Sequence, residues 1–303
     1  MSAYRANGKL LLTGEYVVLD GVPALALPTK PGQTLEVNIN IGESTLRWSS
    51  WDADGSLWLE LELNPDTWEV LHSTDAAAAA RLAQVLRTAA HWNPAFRPVG
   101  QVHTRLEFSR RWGLGSSSTL MANVAAWAGV DAFDLLAATW GGSGYDVACG
   151  QAGGPILYQR LHGRSQWVEI PFRPAFAEQL WFVYLGQKQD SREGIHRYRE
   201  RSERITSSTL DEIGALTLAA AAAVQLADFE KIMTEHERII GSLLGLEPVQ
   251  QSRFSDYPGV VKSLGAWGGD FVLATGAGTA DATKAYFAKK GLDTVLGYGE
   301  LLV

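Results

Sequence analysis

A short segment rich in glycine and serine, Trp112-Gly113-Leu114-Gly115-Ser116-Ser117-Ser118-Thr119, constrains the fold of this chain more than any other feature. Alternating apolar residues predict a strand over 99–108 before it, and a helix is predicted over 117–127 after it. Glycines let a backbone turn tightly and approach a ligand, and the N–H groups that open a helix favour an anion. The segment is neither a Walker A loop nor a dinucleotide fingerprint, because the required lysine and third glycine are missing. Taken alone, it is explained equally well as a capped helix after a glycine turn.

Three further segments place polar residues beside glycines. Lys9 begins an apolar strand pattern, so it could be buried against a carboxylate or a phosphate, or could reach water from the strand end. Asp146 ends the turn 141–146, where a carboxylate could orient or deprotonate a hydroxyl group, although a turn aspartate more often binds its own backbone. The segment 265–270 precedes an apolar strand and could be only a tight connection.

Composition excludes several classes of protein. The 303 residues are 46% hydrophobic and 19% charged, which is typical of one large domain or two fused lobes and not of a disordered chain. The net charge of -7 argues against a nucleic-acid partner, and the single cysteine, Cys149, excludes an intrachain disulfide. No apolar run of about 18 residues predicts a membrane span, and the first residues lack the pattern of a signal peptide. We therefore expect a cytoplasmic protein without a membrane partner.

Apolar periodicity predicts an α+β fold with two lobes that share a cleft. The further predicted strands are 35–41, 57–63, 156–159, 167–172, 180–185, 270–274 and 294–303. Predicted helices open at Asp75 and cover 131–140, 257–264 and 280–290, with a sustained apolar stripe over 229–243. His236 lies on that stripe and is interpreted as a partly buried structural histidine.

The order of the glycine segments resembles that of the GHMP kinase superfamily, which includes galactokinase, homoserine kinase, mevalonate kinase and phosphomevalonate kinase. Ala6–Tyr16, Trp112–Thr119 and Gly265–Ala274 stand in the order of its three motifs. The segment Gly144-Tyr145-Asp146-Val147-Ala148 is similar to that of the bacterial GYDIA family. The resemblance implies the two-lobed GHMP kinase fold. Residues 1–175 would form an N-terminal ATP-binding lobe like domain 2 of ribosomal protein S5, and residues 176–303 would form a ferredoxin-like α/β C-terminal lobe.

The resemblance also implies an ATP-dependent small-molecule kinase that uses Mg²⁺. Lys9 and Asp146 would be catalytic, and ATP phosphates would be bound by Gly113, Leu114, Gly115, Ser116, Ser117, Ser118 and Thr119. Ser117 would also be a magnesium ligand. The expected substrate-binding residues are Glu15, Tyr16, Ser143, Lys188, Ser191 and Arg192. The first expected acceptor is mevalonate, which would place the protein in isoprenoid biosynthesis.

Several departures from the family pattern leave alternatives open. The magnesium-binding glutamate of mevalonate kinases is missing, and Asp134 is the nearest acid to Asp146. Tyr16 replaces the usual histidine of mevalonate kinases and is frequent in phosphomevalonate kinases. Trp267 and Asp270 stand where relatives have small residues. Phosphomevalonate kinase, an ATP-dependent decarboxylase of the mevalonate type, and a non-catalytic ligand-binding relative are therefore the alternatives. A small-molecule substrate is the expected partner, and a homodimer is possible.

Overall fold

The computed structural model describes residues 1–39, 42–187, 191–201, 203, 205–267, 269–276 and 278–303, but not the side chains of 191 and 192. The strands are β1 (Ser2–Thr13), β2 (Ala24–Asn38), β3 (Leu46–Trp51), β4 (Leu57–Leu63), β5 (Val70–Ser73), β6 (Gly100–Leu106), β7 (Ile156–Leu161), β8 (Arg164–Glu169), β9 (Leu180–Tyr184), β10 (Val261–Ser263), β11 (Phe271–Thr275) and β12 (Val295–Gly297). The helices are α1 (Ala76–Trp92), α2 (Ser116–Ala128), α3 (Ala132–Thr139), α4 (Tyr145–Gln151), α5 (Ser191–Glu200), α6 (Ser207–Ala222), α7 (Leu226–Leu244), α8 (Val249–Arg253), α9 (Ala280–Lys289) and α10 (Tyr298–Leu301).

The chain packs into two compact units that interleave along the sequence. The first unit holds Met1–Gly8, Pro31–Arg110 and Leu114–Gln151, and the second unit holds Lys9–Lys30, Arg111–Gly113 and Ala152–Val303. The lobes expected at 1–175 and 176–303 stay a prediction.

The first unit is a mixed sheet covered by helices. Its strands follow the order β5-β4-β3-β6-β2, with β3 and β6 parallel and the other pairs antiparallel. The inward residues of β3 and β4 alternate with outward ones, as a half-buried sheet requires, and they pack against apolar residues of α1, α2 and α3. The predicted strand 57–63 is confirmed as β4.

The strand predicted over 35–41 begins and ends earlier than expected, since β2 runs from Ala24 to Asn38. β2 ends at Asn38, and the side chain of Ile39 is 61% exposed, while residues 40 and 41 lie outside the described residues. The ladder between β2 and β6 stops there because the next β6 residue, Gly100, donates its N–H to Thr45 instead.

The second unit contains an antiparallel sheet and a helix pair. The strands follow the order β10-β11-β9-β12, and apolar residues of α8 and α9 pack on that sheet. In the same unit, β7 pairs with residues 24–26 of β2 and forms an antiparallel hairpin with β8. The apolar stripe predicted over 229–243 is confirmed as the buried face of α7, which packs with α6, Tyr16 and Tyr198. The predicted α+β fold class, with a mixed sheet and a separate antiparallel sheet, is therefore confirmed.

Two predicted elements near the end of the chain are wrong. The helix expected over 257–264 is a turn followed by β10, because Pro258 and Gly259 interrupt a helix and Val261 pairs with Ala274 of β11. The strand expected over 294–303 is limited to β12. Its last residue, Gly297, directly precedes α10 and donates its N–H to Glu300. Among the described residues, no helix has the length and the apolar composition needed to cross a membrane.

Candidate functional site

The glycine–serine segment opens α2, as predicted. Gly115 precedes the helix in the left-handed region, with φ at 91°, which glycine adopts without strain, and no side chain caps this end of the helix. The first intrahelical bond runs from the N–H of Thr119 to the carbonyl of Gly115. An α-helix leaves its first N–H groups without intrahelical acceptors, so residues 116–118 direct donors away from α2. This end of the helix has the geometry of an anion site.

The hydroxyl groups of the segment have different surroundings. Ser118 is buried and donates to the carbonyl of Gly115 at 2.9 Å, while Thr119 is buried and donates to Oε1 of Gln33 at 2.8 Å. These two hydroxyls hold the loop in place. The side chain of Ser117, the expected magnesium ligand, is exposed.

Asp146 lies in the first turn of α4, which packs on α2 within the first unit. Its side chain is half-buried, and Oδ1 accepts the N–H of Val147 at 3.0 Å, which is the local turn contact considered for a turn aspartate. Ser143, two residues before α4, is half-buried. Lys9 belongs to the second unit, so the expected pairing of Lys9 with Asp146 stays a prediction.

Lys9 contacts Gly113, the first glycine of the glycine–serine segment. Its Nζ donates to the carbonyl of Gly113 at 2.8 Å, and the side chain is half-buried in β1. The contact puts a positive charge beside Gly113.

Asp270 packs against the same glycine. A methyl group on Gly113 would overlap the carboxylate of Asp270, and the φ of Gly113 is 68°, so this position requires glycine. The rings of Trp112 and Phe271 meet edge to face at 5.8 Å beside it. Asp270 is only 9% exposed. In the sequence, its one distinguishing feature is that it replaces a small residue of the third motif.

The expected substrate residue Tyr16 has an unusual backbone conformation. Its φ is 64° and its ψ is -49°, and the N–H of Val17 donates to the carbonyl of Glu15 at 2.7 Å. This is a γ-turn of the rare kind whose central residue has positive φ. The Tyr16 hydroxyl donates to the carbonyl of Ala266 at 2.8 Å, and its ring stacks on Tyr198 at 5.8 Å.

Glu15, the second expected substrate residue of this segment, is fully buried in a network of charged groups. Lys262 donates to Oε1 of Glu15 at 2.5 Å, and Nε2 of His236 lies 3.6 Å from Oε2. Nε2 also accepts the N–H of Gly14 at 2.9 Å, so His236 carries its proton on Nδ1. Glu237 accepts from both the N–H and the hydroxyl of Ser263. His236 is thus the structural histidine that was predicted, although it is fully rather than partly buried.

Burial sets the charge states in this network. Burial raises the pKa of Glu15 to about 7, against the opposing effect of Lys262, and burial also raises the pKa of Glu237. Burial, reinforced by Lys262, lowers the pKa of His236 well below its usual range. Sequence reasoning missed Lys262 because the predicted helix over 257–264 would have placed it on a helix surface. The presence of a lysine between Val261 and the third motif segment, Gly265–Ala274, is the sequence signal that could have identified it.

A small cavity in the second unit lies beside Tyr16. It is lined by Tyr16, Glu193, Gly194, Arg197, Leu244, Leu246, Ala266 and Trp267. Arg197 is half-buried on α5 and lies 3.7 Å from Glu193, one helical turn earlier. Of the expected acceptor loop, Ser191 and Arg192 begin α5, while Lys188 lies outside the described residues.

No described residues form a protein-only metal site. No group of three or more histidine, cysteine, aspartate or glutamate side chains within the described ranges is arranged to hold a metal ion. Asp134 is exposed in the first turn of α3, where its N–H is capped by Asp131. Magnesium that enters with a nucleotide needs only one or two protein oxygens, so the exposed Ser117 hydroxyl fits an ion of that kind.

Comparison with solved structures identifies the fold. No protein-family model and no curated protein sequence matches the chain. Phosphomevalonate kinase of Streptococcus pneumoniae, solved with phosphomevalonate and AMPPNP, is similar with a TM-score of 0.72 at 17% identity, over 98% of this chain and 100% of that chain. Mevalonate kinase of Methanococcus jannaschii gives 0.70 at 15% identity, over 97% and 96%. Mevalonate diphosphate decarboxylase of Enterococcus faecalis gives 0.60 at 16% identity, over 95% and 92%. The fold implied by the motif order is confirmed.

Proposed function

We propose that this protein is an ATP-dependent kinase that transfers the γ-phosphate to a small anionic alcohol, with mevalonate as the first candidate. The observation that carries the proposal is the contact of Lys9 with the carbonyl of Gly113. Gly113 is the first glycine of the segment 113–119, which leads along the chain into the uncapped start of α2. A cation and a helix N-terminus are the groups that a nucleotide triphosphate requires.

The N–H groups of residues 116–118 bind ATP phosphates in this proposal. Ser118 and Thr119 hold the loop through their buried hydroxyl bonds, so the binding groups are the main-chain donors and the side chains of Ser116 and Ser117. Ser117 would supply an oxygen ligand to a Mg²⁺ ion that enters with the nucleotide, and an ion held there would neutralise phosphate charge. Asp134 remains a candidate for a second ligand.

Transfer follows an in-line displacement in which positioning and charge stabilisation do most of the catalysis. Asp146 orients the acceptor hydroxyl or removes its proton, and Lys9 stabilises charge on the transferring phosphoryl group. The support for these roles is the resemblance of Ala6–Tyr16, Trp112–Thr119 and Gly265–Ala274 to the three motifs of the GHMP kinases.

The guanidinium group of Arg197 in the cavity beside Tyr16 favours an anionic acceptor in a chain of net charge -7, and Glu193 of the same cavity lies 3.7 Å from that group. Arg197 is half-buried there, and its planar group suits a carboxylate or a phosphate. Arg192 and Lys188 are expected to add positive charge. Tyr16 favours phosphomevalonate as the second candidate, since this residue is frequent in phosphomevalonate kinases.

A coupled assay of ADP release with mevalonate, phosphomevalonate, homoserine and galactose tests the proposal. We expect turnover with mevalonate or phosphomevalonate and a loss of about tenfold or more in kcat/KM for Arg197→Ala, the effect of one lost charge-assisted contact. Arg238→Ala on the exposed face of α7 is the matched control. Activity only on galactose, unchanged in Arg197→Ala, would contradict an anionic acceptor.

Release of carbon dioxide, measured in the same reactions with mevalonate diphosphate, tests the alternative of a decarboxylase. The absence of ATP turnover with every alcohol, combined with measurable ATP binding, would instead identify a non-catalytic relative.

A further inference from the structure

The γ-turn at Tyr16 is flanked by hydrogen bonds to groups that the proposed chemistry does not use. Before the turn, the N–H of Gly14 donates to the side chain of His236. The turn itself is closed by the main-chain hydrogen bond from the N–H of Val17 to the carbonyl of Glu15. A positive φ is strained for a tyrosine, so surrounding contacts must keep this conformation.

Lys262 connects the turn with β10, the strand that precedes Ala266, the partner of Tyr16. Its Nζ donates to Glu15 at 2.5 Å and to the carbonyl of Ser263 at 2.8 Å. β10 ends at Ser263 and leads directly to Ala266, whose carbonyl accepts the Tyr16 hydroxyl. The contacts form a closed ring that passes from Tyr16 through Glu15 and Lys262 to Ala266 and back to Tyr16.

The ion pair between Lys262 and Glu15 has a directional role that apolar side chains would not supply. Both side chains have no solvent exposure, and taking two charges out of water opposes folding. Apolar residues of similar volume often fill such positions at least as well. A buried pair of this kind instead fixes one geometry, because its atoms must stay within hydrogen-bond distance.

We propose that Lys262 and Glu15 are positioning residues for the acceptor: their ion pair holds Tyr16 in the γ-turn, at the wall of the cavity that Arg197 also lines. The inference rests on the proposed function in one respect, namely that an acceptor occupies this cavity. It assigns Glu15 an indirect role in place of the direct substrate contact expected from the family resemblance.

Three variants test the inference. Lys262→Met removes the ammonium group and leaves a buried carboxylate. The double variant Glu15→Gln with Lys262→Met removes both charges, so it avoids the unpaired group that destabilises the single variant. Tyr16→Phe removes only the hydroxyl that binds Ala266. Lys231→Met, which breaks the exposed pair of Lys231 with Asp228 on α7, is the control.

We expect the double variant to unfold near the wild-type temperature, with an acceptor KM raised about tenfold and an ATP KM changed less than about twofold. Tyr16→Phe should raise the acceptor KM by a similar factor, and Lys231→Met should change neither constant. Hydrogen exchange at the amide of Val17 should speed up in the double variant but not in the control, because that amide closes the γ-turn.

An acceptor KM and a Val17 exchange rate that both stay at wild-type values in the double variant would overturn the inference. If neither charge variant folds, Tyr16→Phe decides, and an unchanged acceptor KM there would overturn it as well. A wild-type protein that phosphorylates no acceptor would contradict the proposed function. Val17 exchange would still show, in that case, whether the ion pair holds the turn.

Discussion

At the scale of single residues, the neutral state of His236 makes stability depend on pH. Its pKa in the folded protein lies well below 6.5, so below pH 6.5 the unfolded chain binds a proton at this histidine and the folded protein does not. Protonation of this residue in the unfolded chain should therefore lower the free energy of unfolding by about 1.4 kcal/mol per pH unit below pH 6.5.

His236→Gln keeps an acceptor for the N–H of Gly14 and does not titrate. Glu15 and Glu237 oppose this slope in both proteins, so the difference between wild type and variant isolates His236. A difference that stays constant from pH 8 to pH 5 in urea unfolding would contradict the assignment.

Asp146 is the residue whose change should separate catalysis from binding. Asp146→Asn keeps the shape of the side chain and removes its charge, so kcat should fall by roughly two to four orders of magnitude, the usual effect of a lost acid–base group. ATP affinity, measured by calorimetry, should stay within about twofold of wild type. Asp54→Asn in the exposed turn between β3 and β4 is the control. A variant with more than half of wild-type turnover would exclude Asp146 from the chemistry.

At the scale of elements, the two ends of α2 offer a matched comparison. Gly115 precedes the first turn and Gly129 follows the last, and both have positive φ. Gly115→Val should put a side chain where the proposed phosphate site needs bare backbone, and should weaken ATP binding about tenfold or more, equivalent to about 1.4 kcal/mol. Gly129→Val carries a similar backbone strain at the other end and should lower stability without changing ATP affinity. Equal ATP affinities for the two variants in calorimetry would contradict a phosphate site at the start of α2.

At the scale of the whole molecule, the core of the second unit depends on residues from the beginning of the chain. Tyr16, Val17 and Val22 pack with Tyr198 and with the buried residues of α6 and α7. Each large apolar side chain contributes about 1.5–3 kcal/mol by burial, and a domain is stable by only about 5–15 kcal/mol in total. The fragment 176–303 should therefore not fold alone. Cooperative thermal unfolding of this fragment, with the near-ultraviolet dichroism of a packed core, would contradict the prediction and would support the lobe boundary at residue 175.

The sequence by itself was sufficient to predict the fold class, to find the three segments that resemble the superfamily motifs, and to predict most of the elements that carry those segments. Local periodicity and turn chemistry are sufficient for β4, for α2 with its glycine entry, and for the buried stripe of α7, because those signals lie within a few neighbouring residues. Only the tertiary structure decided that Lys262 reaches Glu15, that Asp270 packs on Gly113 and that Tyr16 adopts a γ-turn. Each of these contacts joins residues more than 150 positions apart or depends on such a contact. The charge state of a buried group depends on the groups that it contacts, and a local sequence pattern does not include a contact so distant in the chain.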